Sequence, residues 1–286
     1  MNYLELFREM ISLRGLREST LKSYLTYITV YLSYVSDVLG KLPEDVTWDE
    51  MRTFIHWIQA KRGIDDRTIN YVIAQLRFFT IYVLHKPWDP YQIPYRKFDR
   101  YLPFVPDRNE VLTIINAITD RKAKMMIMLM YSCGLRISEV CKLRYEDISR
   151  ASMKIHIVRG KNRSDRYVPL SPAILDVLSK YWRIYGKPMG YLFRQKKNSQ
   201  KPVTSTYVFN HIKEAEESLG WQHRFSSHTF RHAFATHFYE DTGDLLALKE
   251  ILGHHSINST TVYVTLSDRI IGKYQSPIES MEINYE

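Results

Sequence analysis

The chain has 286 residues, 45% of them hydrophobic, which is enough for about two globular cores without a disulfide or metal staple. Its two cysteines, Cys133 and Cys141, lie in apolar helical-looking sequence and read as buried reduced thiols, not as a disulfide framework or a metal site. Lys and Arg outnumber Asp and Glu by 40 to 31, and most of the excess, 26 against 19, lies after residue 100, so polyanions are the favoured partners, nucleic acid ahead of an anionic membrane.

Residues 1–86 read as four helices joined by short loops, a small bundle. The first covers residues 3–12, with Leu4, Phe7 and Ile11 on its apolar face. Ser19 or Thr20 caps a second that runs to about Leu39, where Tyr24, Tyr27, Tyr31 and Tyr34 recur in steps of three and four. A third starts near Asp49, runs through Phe54, Trp57 and Ile58, and ends near Gly63. The fourth opens on Asp65 and Asp66, where acids favour a first turn, and continues through Ile69, Val72, Leu76 and Phe79 to about Leu84. The tyrosine stripe fits a core whose hydroxyls reach the surface. It also fits contacts to a phosphate backbone, shared with Lys22, Lys61, Arg62, Arg67 and Arg77.

Five of the eleven prolines, Pro87, Pro90, Pro94, Pro103 and Pro106, fall in residues 86–106. Proline cannot continue a helix, and Arg96, Lys97 and Arg100 add charge, so residues 87–106 read as an extended basic linker. Residues 107–286 form a second, mostly helical unit. Helices are expected over 107–118, 121–132 and 137–143, with the apolar run at 125–130 too short to span a bilayer. Alternation at 154–158 and again at 167–170, around a polar turn at 160–165, predicts two antiparallel strands. Further helices follow from Ser171-Pro172, over 205–219, 228–239, 245–252 and 259–266. The start Met1-Asn2-Tyr3-Leu4-Glu5 has no targeting pattern, and a soluble cytoplasmic protein is expected.

The chemistry concentrates in the second unit. Arg136, in Gly134-Leu135-Arg136-Ile137-Ser138-Glu139, and Arg231, in His228-Thr229-Phe230-Arg231-His232, are a pair able to brace the non-bridging oxygens of a phosphodiester under attack. His228 is three residues from Arg231 on one helix face and can handle protons near neutral pH. His254 follows Leu252-Gly253 at a helix end, where it can donate to a phosphate oxygen. Lys161 sits in the turn between the two strands and can protonate a leaving alkoxide. Tyr263, after Thr260-Thr261, is placed to be a nucleophile. Alone, each has an ordinary reading as an ion-paired arginine, a structural histidine, a solvated lysine or one of 21 tyrosines. A zinc site on His228 and His232 is disfavoured, because Thr229 stands where a metalloprotease helix has Glu and Phe238 where it has its third histidine.

Arg136, Lys161, His228-x-x-Arg231, His254 and Tyr263 together, with G-L-R-I-S-E, H-T-F-R-H-A-F-A-T-H, L-G-H-H-S and T-T-V-Y, resemble in order and spacing the catalytic boxes of the tyrosine recombinase family of phage integrase, Cre and Xer type. Phe230, where the family often has Leu, departs from the pattern in packing alone. The resemblance implies a mainly α fold. A core-binding, SAM-like N-terminal bundle (1–86) and the linker (87–106) would precede a mostly helical catalytic domain (107–286) with a small antiparallel sheet. It implies site-specific cutting and rejoining of double-stranded DNA through a 3′-phosphotyrosyl link, with neither cofactor nor metal. Catalytic roles fall to Arg136, Lys161, His228, Arg231, His254 and Tyr263. Dimers on a site and tetramers in synapsis are expected, with no membrane. In this family a tail such as 264–286, with Ile270, Ile271, Tyr274 and Ile278, commonly docks on a neighbouring protomer. The compact length points to Xer-like chromosome dimer resolution. Two alternatives stay open: type IB topoisomerase-like relaxation, and a non-catalytic architectural DNA-binding protein.

Overall fold

Short polar side chains set where most helices begin. The computed structural model describes residues 2–16, 18–99, 101–158, 165–196, 199–222 and 224–267, the side chains of Glu18 and Ser19 excepted. The chain divides into two compact units, Met1–Arg100 and Tyr101–Glu286.

In the first unit Asn2 caps α1 (Tyr3–Leu13), and α2 (Glu18–Tyr34) runs on into a π turn at Val35–Leu39. Thr47 and Glu50 form a reciprocal capping box at the start of α3 (Trp48–Arg62), and Asp65 accepts from the Thr68 N–H to open α4 (Asp66–Tyr82). The core is aromatic and aliphatic, with Phe7, Ile28, Tyr31, Phe54, Ile58, Ile69, Val72 and Phe79 fully buried. Of the tyrosine stripe, Tyr31 is buried with its hydroxyl and Tyr34 is nearly so, while Tyr24 and Tyr27 pack partly buried against the same core. The hydroxyl of Tyr31 thus does not reach the surface. Its ring lies edge-on to Phe54 at 5.1 Å and to Phe79 at 6.0 Å. Lys22, Lys61, Arg62, Arg67 and Arg77 are all exposed. Residues 87–99 are irregular yet anchored to this unit. Ile93 is buried in its core, Asn70 bonds both backbone groups of Arg96, and the Arg96 guanidinium lies 2.6 Å from Asp66 and from Gln59.

The second unit is built around α6 (Arg121–Cys133), whose Met125, Met126, Ile127, Leu129 and Met130 are all buried. Before it comes α5 (Arg108–Ala117), opened by the Asp107–Glu110 capping box, and after it the short α7 (Ile137–Cys141). Three antiparallel strands follow in the order β1 (Ile148–Ser149), β2 (Lys154–Ile157), β3 (Arg166–Pro169), with Ile155 opposite Val168 and both turned into the core. The two-residue β1 has no sequence counterpart, because it is too short to show alternation. Helices α8 (Pro172–Ile184), α9 (Ser205–Ser218), α10 (Ser227–Thr242), α11 (Leu245–Leu252) and α12 (Val262–Leu266) complete the unit. Phe230 is fully buried beside Phe225, and both cysteines are free and buried. The chain is therefore mainly α with one small antiparallel sheet. Among the described residues no helix is long and apolar enough to cross a membrane. Residues 159–164, where the turn carrying Lys161 is expected, and the tail from 268 lie outside the described residues.

Candidate active site

Helix α10 is buried on almost every side, and Ser226 with Thr229 fixes its start through a reciprocal cap. It presents Arg231, 4% exposed, to the C-terminal ends of two other helices. Arg231 Nη1 donates to the carbonyl of Gly134, just past α6, at 2.5 Å, and Nη2 donates to the carbonyl of Leu252, the last residue of α11, at 2.7 Å. Unsatisfied carbonyls at helix ends carry partial negative charge, so they suit a desolvated cation. Burial, then Arg136, lowers the pKa of this guanidinium.

Arg136 caps α7 and lies 2.9 Å from Glu139 Oε1, while its backbone N–H donates to Oε2. Glu139 also receives both Nη atoms of Arg166 on β3, at 2.8 and 2.7 Å, a planar two-bond contact. Burial opposes the carboxylate's charge, yet the hydrogen bonds and charge of Arg166 with help from Arg136 hold its pKa at about 2. Arg166 Nε donates further to the Ile251 carbonyl at 2.8 Å. One side chain thus ties β3 to α7 and to the end of α11. Gly253, at φ 62°, follows α11, and a Cβ there would meet Arg166 Cδ at 2.7 Å, so glycine is needed for both conformation and space. Gly134 is constrained in the same way by Phe234, 2.5 Å from its would-be Cβ.

That glycine turn delivers His254, whose Nε2 is 3.4 Å from Arg231 Nη2 and whose Nδ1 is 3.0 Å from the Thr260 hydroxyl. Its ring is nearly parallel to that of Tyr263, 16° apart with centres at 6.4 Å. Burial, followed by Arg231, Arg136 and Arg166, pushes the imidazole down to about 4. Tyr263 on α12 is 2% exposed. Burial raises its pKa, and Arg231 and Arg136 act against that rise.

Arg136, Arg231, His254 and Tyr263 therefore share one cluster. His228 is exposed in the first turn of α10, and Lys161 lies outside the described residues. Glu139, Arg166 and His232 belong to the same cluster and were not among the expected site residues. His232 is the residue whose Nδ1 meets the Tyr263 hydroxyl, at 3.0 Å. Its spacing of four from His228 places it on the same face of α10, toward Tyr263. Among the described residues no three or more His, Cys, Asp or Glu groups cluster to hold a metal ion.

Residues 106–269 match the Phage integrase family, and residues 3–90 match the N-terminal SAM-like domain of phage integrases. Tyrosine recombinase XerA of Thermococcus kodakarensis is 27% identical over 283 residues, covering 98% of this chain and 96% of the relative. XerA of Pyrococcus furiosus is 29% identical over 269 residues, covering 92% and 89%. The crystal structure of XerH site-specific recombinase bound to palindromic difH substrate, in a post-cleavage complex, shares the fold with a TM-score of 0.72 at 18% identity, covering 93% of this chain and 82% of that one. The chain belongs to the phage integrase family and is a Xer-like tyrosine recombinase, an enzyme that breaks and rejoins DNA.

Proposed function

We propose that the protein is a site-specific recombinase that cuts and rejoins double-stranded DNA through a 3′-phosphotyrosyl intermediate, in a Xer-like role resolving chromosome dimers. The observation that carries this is the charge of the cluster. Three guanidiniums, Arg136, Arg166 and Arg231, gather around the carboxylate of Glu139 beside a buried phenol. Such a site is short of negative charge, and a phosphodiester supplies it. Tyr263 attacks the phosphorus, and the covalent link preserves the energy of the diester. Arg136, Arg231 and His254 hold the non-bridging oxygens. Lys161 protonates the departing 5′-oxygen, and His228 assists proton transfer near the tyrosine. A 5′-hydroxyl from a partner duplex then reverses the step.

The first unit, with its exposed basic side chains, serves as the core-binding DNA-binding domain, followed by a basic linker. Dimers form on a site, and two dimers pair in synapsis. Near full-length similarity to the XerA relatives supports the compact Xer-like arrangement.

Covalent trapping on nicked duplexes tests the reading. The wild type is expected to form a denaturation-resistant protein–DNA adduct that survives a chelator, and Tyr263→Phe is expected to bind DNA without forming one. Binding without an adduct on any duplex would sink the enzyme mechanism. Plasmids with two sites that are relaxed but never recombined would sink the recombinase role.

A further inference from the structure

A phenol that attacks phosphorus must shed its proton as the new bond forms, and a base within hydrogen-bond reach makes that step accessible. Tyr263 is 2% exposed, so its hydroxyl faces protein instead of bulk water. The group it faces is His232 Nδ1, at 3.0 Å, with ring centres 5.8 Å apart. We propose that His232 is the general base of DNA cleavage, taking the Tyr263 proton as the phenolic oxygen bonds to phosphorus and returning it when the strand is rejoined.

The step balances within the mechanism above, on which it rests. The Tyr263 O–H bond breaks, and its proton goes to the lone pair of His232 Nδ1. The tyrosine O–P bond forms as the P–O5′ bond breaks, and the 5′-oxygen leaves with the bonding pair and a proton from Lys161. Rejoining reverses each transfer. The surroundings of His232 fit the role. His228 and Arg231 face it from its own helix, with the His228 ring centre at 6.5 Å, and Tyr263 and His254 approach from the other side. Burial, then His228 and Arg231, pushes the imidazole down to about 4, which leaves its lone pair free at neutral pH. A phosphodiester bound beside it brings negative charge and raises its basicity in the complex. The exposed His228, one turn nearer the start of α10, is then a route for the proton and not its first acceptor.

The test is single-turnover adduct formation on the nicked duplex by His232→Asn. Asparagine keeps an acceptor oxygen near the Nδ1 position but cannot take up a proton. Its cleavage rate should fall by about 10²- to 10³-fold with DNA affinity unchanged. Its rate should then climb with pH as hydroxide replaces the missing base, while the wild-type rate levels off. In a second variant, His232→Ala, added imidazole should restore part of the rate. A His232→Asn enzyme with the wild-type rate and pH profile would overturn the proposal, leaving His232 a positioning residue. So would a loss that neither high pH nor imidazole relieves. Absence of an adduct from the wild type itself would instead overturn the Tyr263 mechanism, and the two failures are distinguishable on the same gel.

Discussion

Among the described residues, Met1–Arg100 buries Gln75 and Thr80 as its polar side chains, whereas Tyr101–Glu286 buries Arg231, Glu216, His237, Thr229, Thr236, Thr260, Ser179 and Ser267. In the first unit rings pack on rings, such as Phe7 on Phe78 at 5.3 Å, and the cations stay outside. In the second unit a guanidinium is taken out of water, which is strongly unfavourable unless its donors are satisfied. Arg231 meets that condition with two helix-end carbonyls, and Glu139 meets it with two arginines. The first unit's interior is organised for stability alone. The second unit gathers guanidiniums in a fixed geometry, the charge that the proposed phosphodiester substrate would offset. Positions that break local rules of burial are where function concentrates.

Arg231→Ala should show this contrast most strongly. Cleavage should drop by about 10²- to 10³-fold from lost oxyanion stabilisation. Stability should also fall by about 3 kcal/mol, since the Gly134 and Leu252 carbonyls lose their donor. Single-turnover assays and urea midpoints measure the two effects, and wild-type cleavage by the variant would remove Arg231 from the site. Phe79→Ala, at a fully buried ring of the first unit, should cost about 3–5 kcal/mol in urea but leave adduct formation at saturating DNA near wild type. Equal damage to chemistry would erase the distinction between the two interiors.

The smallest effect is expected from pH. His232 and His254 both titrate near 4 when folded, against 6.5 for an ordinary imidazole. Above pH 6.5 both states are neutral, and between 6.5 and 4 the unfolded chain alone takes up the protons. Stability is therefore present above 6.5 and lost as pH falls through 4. Discounted for the partial exposure of both rings, the loss is about 1–2 kcal/mol for each. A level melting temperature across that window would mean that the rings are already charged in the folded protein.

Helices and the alternating strands were legible in the sequence because each depends on a few neighbouring residues, whereas α2 begins at Glu18, ahead of the expected Ser19 or Thr20 cap. Gly63, Asp65 and Asp107 mark element ends in the folded chain, and α3 opens on Thr47, two residues ahead of the expected Asp49. The short boxes around Arg136, Arg231, His254 and Tyr263 likewise carried the family on residue order alone. What the sequence could not specify was which side chains meet across long separations. Arg166 reaches Ile251 85 residues away, Arg231 reaches Gly134 across 97, and His232 meets Tyr263 across 31. Such partners leave no periodic trace, because they are set by how α7, β3, α10 and α12 pack. The sequence by itself determined the elements and the candidate chemistry. Tertiary structure alone decided that Arg166 clamps the cluster and that His232 holds the tyrosine hydroxyl.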